Sequence, residues 1–303
     1  MLASETPSLR YLTLVQLCGR PADDPEVVAE REAIMRAGPV PAILEAQTAS
    51  GALAGEHSYY TPKYVSTHWS LTLLAELAVA GTDARFHRGV AYMLDATSKE
   101  IQERTMDGRL GFSCFWGNLL HYALHAGRAE DPRLQRIVDY AVRDLQDHCQ
   151  CEYNYDYACA WGVVRTLWGL AALPARTPAV ESAIEHSLTF LLDSFSLLAV
   201  DYPLPDQCRV HPLWHRLNFP LFYQADILFT LRVLGELGAL DRPGAQPALE
   251  WLEARRQKNG RWRGSSPFRQ RTWRELGGPE ETSRWVSLQS AQVLQQAGCL
   301  SLA

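Results

Sequence analysis

FWGNLLHYALHAGRAEDPRLQRIVDYAVRDLQ, residues 115–146, decides the fold. Its first part, 115–127, is apolar on most faces and almost free of charge, the pattern of a buried helix, and it ends at Gly127. Its second part, 131–146, sets one apolar stripe at helical spacing on a charged remainder, the pattern of a helix with one side in water. Between them Gly127 suits a left-handed C-terminal cap, and Asp131-Pro132 reads as an N-cap followed by a proline at the first helical position. The stretch is a helical hairpin with one buried arm and one half-exposed arm.

The same phrase recurs along the chain, in QLCGRPADDPEV, ELAVAGTDARF, LAALPARTPAV and ELGALDRPGAQ, with stops at Gly19, Gly81, Pro174 and Gly238, and a last apolar run ending at Gly298. Successive stops, Gly127 included, lie 62, 46, 47, 64 and 60 residues apart, which suits a helix pair plus a variable loop. The nearly uncharged runs (69–81, 115–127, 161–173) are expected to form an inner ring and the striped helices (131–146, 177–192) an outer one. The resulting expectation is a single all-α domain over residues 1–303, an α/α toroid close to an α6/α6 barrel. The sixth outer helix would lie past the C-terminus, leaving the ring incompletely closed, with 41–47 filling part of the gap. A flat superhelix of hairpins is the alternative. A Pro-rich insertion at about 198–222 is expected to be a lid or a docking loop for a protein partner.

Composition narrows the function. Hydrophobic residues make up 47% of the chain, enough for a large core. The net charge of -5 is spread along the length, so no basic field exists for nucleic acid or anionic lipid. No segment reaches the roughly 18 apolar residues of a membrane span and no leader precedes the first helix, so a cytoplasmic protein is expected. The 7 cysteines lie inside a long chain rather than in a small loop-rich one, which favours free thiols or metal ligands over a disulfide scaffold.

Several helix-to-loop transitions read ILEAQTASGAL (43–53), MDGRLGF (106–112) and ARRQKNGRWRG (254–264), best developed in Gln257, Gly260 and Trp262. They resemble a degenerate Gln-Trp repeat of squalene and hopene cyclases, in which glycine turns the chain while the amide and the indole tie helix ends together. With the hairpin alternation, the chain resembles the terpenoid cyclase and protein prenyltransferase toroid superfamily. That resemblance implies an apolar, isoprenoid-like substrate. The Asp-Xaa-Asp-Asp motif of class II cyclases and the acidic metal motif of class I cyclases are both absent. Prenyltransferase β-subunits hold zinc through an Asp and a Cys at the start of an inner helix plus a later His, and Asp156 and Cys159 form a near match with altered spacing.

Parallel inner helices would open their N-termini on one mouth and gather residues distant in sequence. The candidate metal ligands there are Cys114, Cys151, Cys159 and His211, with Cys149 and His215 as alternatives, and zinc as the expected ion. A helix N-terminus favours the thiolate, so these thiols are expected to have lowered pKa values. Candidate catalytic groups are Asp156, Asp226 and His68. Trp69, Trp116, Trp161, Tyr223 and Trp285 follow helix starts and would line the mouth for an apolar ligand or pack between helices. His121 and His125, four apart on an apolar helix, read as packing residues rather than ligands. Three functions remain open: an enzyme acting on an apolar small molecule beside a thiol-ligated zinc, a metal-free enzyme with an aspartic general acid, and a non-catalytic binding or scaffolding protein.

Overall fold

A computed structural model of the protein describes residues 1–107, 111–194, 196–199 and 210–300. The chain is all-α: among the described residues there are helices and three isolated β-bridges but no strand. In order the helices are α1 (Pro7–Leu12, continued by a π-helical turn Thr13–Leu17), α2 (Pro25–Ile34), α3 (Pro39–Glu45), α4 (Thr67–Glu76), α5 (Ala84–Asp107), α6 (Ser113–His125), α7 (Pro132–Gln146), α8 (Ala160–Ala171), α9 (Pro178–Thr189, continued by a π-helical turn Phe190–Ser194), α10 (Ile227–Glu236), α11 (Gln246–Glu253) and α12 (Pro279–Gln296).

Start and stop signals act as the sequence predicts. Asp24, Asp131 and Thr177 cap α2, α7 and α9 with their side chains, each followed by proline. At the far end of α6, Gly127 has φ +70°, and the Arg128 and Gly127 N–H groups donate to the carbonyls of Ala123 and Leu124, closing the last turn. Gly19, Gly238 and Gly298 are also left-handed. Gly81 is not: α4 stops three residues earlier, at Ala78 with φ +56°, whose neighbour Val79 donates back to Leu74.

The chain divides into two compact units, Met1–Met93 with Arg216–Phe222 and Leu252–Ala303, and Leu94–His215 with Tyr223–Trp251. In the first unit the opening and closing helices are neighbours. Ser4 and Thr6 donate to Glu281 near the start of α12, and Gln295 near its end donates to the Leu17 carbonyl, so α1 and α12 run parallel. α4 is buried from Thr67 to Ala75. The Gln-Gly-Trp loop works as a tie: Gly260 turns at φ +79°, the Trp262 indole donates to the Leu252 carbonyl (2.7 Å), and the Trp262 amide donates to Ser287 (3.0 Å). Gln47 does the same earlier, donating to the Gly51 and Arg85 carbonyls.

The second unit is built on α6 and α8. α8 is buried from Gly162 to Leu170, whereas α7 buries only its stripe. Two glycines let the helices approach: an added Cβ on Gly117 would run into the Arg165 carbonyl, and one on Gly169 would lie 2.6 Å from the Gly117 carbonyl. The Thr166 hydroxyl donates to the Ser113 carbonyl and His121 stacks on Trp168 at 3.5 Å, so contacts advance together along both helices, which are therefore parallel. α10 joins in the same sense, with Arg165 donating to the Gln224 carbonyl and Phe229 against Trp168. Of the stretch 198–222, residues 200–209 lie outside the described residues. The rest is largely packed, with Leu213, Trp214, Leu217 and Phe219 buried.

Candidate functional site

Three segments of the second unit converge where α6, α8 and α10 begin. Phe112, with φ +62°, ends the approach to α6, so Cys114 falls on the first turn. Cys159 is the N-cap of α8, its sulfur accepting the Gly162 N–H at 3.4 Å. Around Gly162 the walls close: an added Cβ would lie 2.9 Å from the Cβ of Cys149 and 3.3 Å from that of Ser113. Cys114, Cys151 and Cys159 are half-buried and Cys149 is buried. The aromatic members meet beside them. Trp161 stands edge-on to His211 at 5.2 Å and to Tyr223 at 6.0 Å, all three at least partly exposed.

The thiols do not have the low pKa values expected of helix N-termini. Burial pushes Cys114 up to about 12, and the neighbouring Cys159 and Cys151 add to the rise. Burial also raises Cys159 to about 11 against the opposing pull of the Gly162 N–H, and it raises Cys149 well above the ordinary thiol value. Helix-terminal amides offset only part of the cost of a thiolate held away from water and close to others like it. At neutral pH Cys114, Cys149 and Cys159 are thiols.

Behind the rim lies a buried carboxyl that the sequence reading missed. Asp144 on α7 accepts a hydrogen bond from the Ser113 hydroxyl and another from the Gly111 N–H. Burial raises its pKa, with those two donors opposing. Tyr140, one turn earlier, donates to the Gly111 carbonyl, and its own pKa is raised by burial and then by Asp144. The available signal was position: Asp144 falls on the apolar stripe of Ile137, Ala141 and Leu145, where a charge is out of place. Left-handed φ values at His148, Cys149, Tyr155 and Asp156 mark the segment between α7 and α8, and such conformations in residues with a Cβ concentrate at functional sites.

Other expected site residues have different surroundings. Asp156 is exposed on its turn rather than set in an apolar mouth. Asp226 is the buried N-cap of α10, accepting the Phe229 N–H at 2.7 Å. Trp116 is buried against Tyr140 of α7, between helices, and its indole N–H has no hydrogen-bond partner among the described residues. In the first unit His68 and Trp69 pack edge to face at 4.6 Å, the Trp69 indole donates to the Tyr60 carbonyl, and Trp285 stacks on Phe219 at 4.4 Å. His211 accepts the Leu213 N–H at Nδ1, and His215 lies 3.4 Å from the Leu198 carbonyl. His121 is a packing residue, its pKa lowered by burial to about 3.

Soft thiols are the donor chemistry that zinc takes. Among the described residues no group of three or more His, Cys, Asp or Glu side chains is placed to hold a metal ion. No described helix is long and apolar enough to cross a membrane. No family model matches the chain, and neither a curated protein nor a solved structure matches it.

Proposed function

We propose that this chain is an α/α-toroid enzyme that binds an apolar, isoprenoid-like small molecule at the rim where α6, α8 and α10 begin. The ring is supported by the parallel run of those three helices and, separately, by the parallel contact of α1 with α12, because an open solenoid keeps its first and last repeats apart. The observation that carries the site is the meeting of Trp161, Tyr223 and His211, from separate segments, at the end of the unit that also gathers Cys114, Cys151 and Cys159. Ring faces and neutral thiols together make a polarisable wall suited to an apolar ligand and to any positive charge that develops on it.

The resemblance to toroid cyclases supplies the substrate class and leaves the reaction to the residues present. A metal-free proton transfer is favoured by Asp144, whose buried carboxyl is held toward its protonated form with Ser113 as the contact to the rim. Titration calorimetry with geraniol tests the binding. Geraniol is expected to bind, and Trp161→Ala is expected to weaken it about tenfold, or about 1.4 kcal/mol. Absence of binding heat, or unchanged affinity in that variant, would overturn the reading. Turnover is checked by mass spectrometry of isoprenoid extracted after incubation, and Asp144→Asn should abolish it.

A further inference from the structure

The charge balance of the whole chain hides a local one. Between α11 and α12, residues 255–274 hold eight of the 29 Lys and Arg and no Asp or Glu, leaving 21 basic against 34 acidic residues in the rest of the chain. The even spread of charge expected from the sequence fails here. Seven of the eight are Arg, whose planar fork pairs two N–H groups with a single carboxylate or phosphate, where Lys offers only a point charge.

The segment is firmly held. Its apolar side chains turn inward and pin it to the first unit: the Trp262 indole is buried on the Leu252 carbonyl, the buried Phe268 ring lies 4.3 Å from that of Tyr64, and the Trp273 indole donates to the Ser70 hydroxyl at 3.0 Å. The backbone is tied as well, the Gly264 N–H donating to the Ser283 hydroxyl and the Ser265 N–H to the Leu217 carbonyl. With the apolar residues inside, the basic ones are left on the outer side. Arg261 donates to Glu280, Arg269 to the Thr282 hydroxyl, and the Arg271 guanidinium lies over the Tyr64 ring at 5.0 Å. Lys258, Arg263 and Arg274 are exposed, and their side chains make no hydrogen bond, ion pair or ring contact among the described residues. Like charges held on a fixed frame repel one another, and an anionic partner relieves that repulsion.

We propose that residues 255–274 form a docking surface for an acidic peptide, a segment of a partner protein rich in Asp and Glu. The direction of the side chains selects that partner over other polyanions. Single-stranded nucleic acid stacks its bases on aromatic faces, and an interfacial membrane site sinks apolar side chains among the lipids, yet no large apolar side chain of 255–274 is exposed. Charge selects it too. A duplex or an anionic bilayer is extended and would be repelled by the acidic remainder of the chain, whereas a short peptide meets only the field within the screening length of about 8 Å. The guanidinium forks then pair with its carboxylates. The surface belongs to the first unit and does not depend on the ligand proposed for the second.

Fluorescence anisotropy of a fluorescein-labelled decaglutamate peptide, titrated with the full chain, tests the surface. The peptide is expected to bind, and to bind about tenfold more weakly at about 0.2 M salt than at about 0.05 M. A Lys258→Gln/Arg263→Gln/Arg274→Gln variant should weaken binding about tenfold, because three exposed charge pairs are lost and the side chains removed touch nothing else in the described fold. A matched variant, Arg31→Gln/Lys99→Gln/Arg136→Gln, changes the net charge equally at exposed positions elsewhere and should leave the affinity nearly unchanged. No binding of the peptide, or equal weakening in the two variants, would overturn the proposal. Tighter binding of oligo-deoxythymidine or of phosphatidylserine vesicles under the same conditions would overturn it as well, by assigning the surface to nucleic acid or to lipid.

Discussion

The loop between α11 and α12 and the loop between α7 and α8 join helices in different ways. The first buries neutral groups only, a glycine at the left-handed turn, the Trp262 indole on the Leu252 carbonyl and the Trp262 amide on Ser287, and keeps its charges exposed, as in Arg261 on Glu280. The second has a histidine stack and left-handed residues that are not glycine, and the end of α7 that leads into it is tied to the start of α6 by a buried carboxyl on a serine and a tyrosine on a carbonyl. A neutral tie is sufficient to hold a hairpin. The ionisable one carries desolvation and backbone costs that make sense where the loop has further work, and local rules are broken most often at such places.

That contrast can be broken or sharpened by mutation, the largest effect coming from helix contact. Gly117→Ala should cost about 3 kcal/mol, since its Cβ would run into the Arg165 carbonyl and force α6 from α8; chemical denaturation reads it, and a neutral result would mean the helices are not held so closely. Asp144→Ala should cost about 2 kcal/mol by leaving the Ser113 hydroxyl and the Gly111 N–H buried without their acceptor.

Asp144→Asn separates charge from shape. A carboxyl whose folded pKa is raised contributes fully at acid pH and loses its contribution as the pH rises through the raised value. The natural chain should therefore lose stability relative to Asp144→Asn as the pH increases, and a flat difference would remove Asp144 from the contrast. Trp262→Phe should cost about 2 kcal/mol, equally at every pH, because a neutral hydrogen bond and part of a buried ring are lost, neither of which titrates. The smallest difference is expected between Gly127→Ala and Gly298→Ala. Each forces an alanine to a left-handed φ in open space just past a helix, so each should cost about 1 kcal/mol, with nothing to distinguish the ends of α6 and α12.

Most of the helical frame was legible because its signals are local. The Asp131-Pro132 and Thr177-Pro178 starts and the Gly127 stop depend only on backbone donors and φ, which the residues themselves dictate. Ala78 escaped because a helix can end on a non-glycine when the next residue's N–H still reaches back, as Val79 does to Leu74. At the site, the helix-end positions of Cys114 and Cys159 were legible, whereas their protonation was not: it depends on how much protein surrounds each sulfur and how near the others lie. Asp144 and His148 depend on partners brought by other segments, Ser113 for one and His186 with Phe190 for the other, and no pattern near either residue announces them.

The most direct measurement of the proposed site is cross-linking of its thiols by dibromobimane, which fluoresces when both arms have reacted with cysteine. Labelling at pH 9 compensates for thiols pushed up to about 11 and 12. Cys114, Cys151 and Cys159 interact electrostatically with one another, so the natural chain should become fluorescent, with cross-linked peptides joining members of this trio, and a Cys114→Ser/Cys159→Ser double variant should lose most of that signal. Fluorescence undiminished in that double variant, or cross-links confined to other cysteines, would contradict a common thiol rim at the start of α6 and α8.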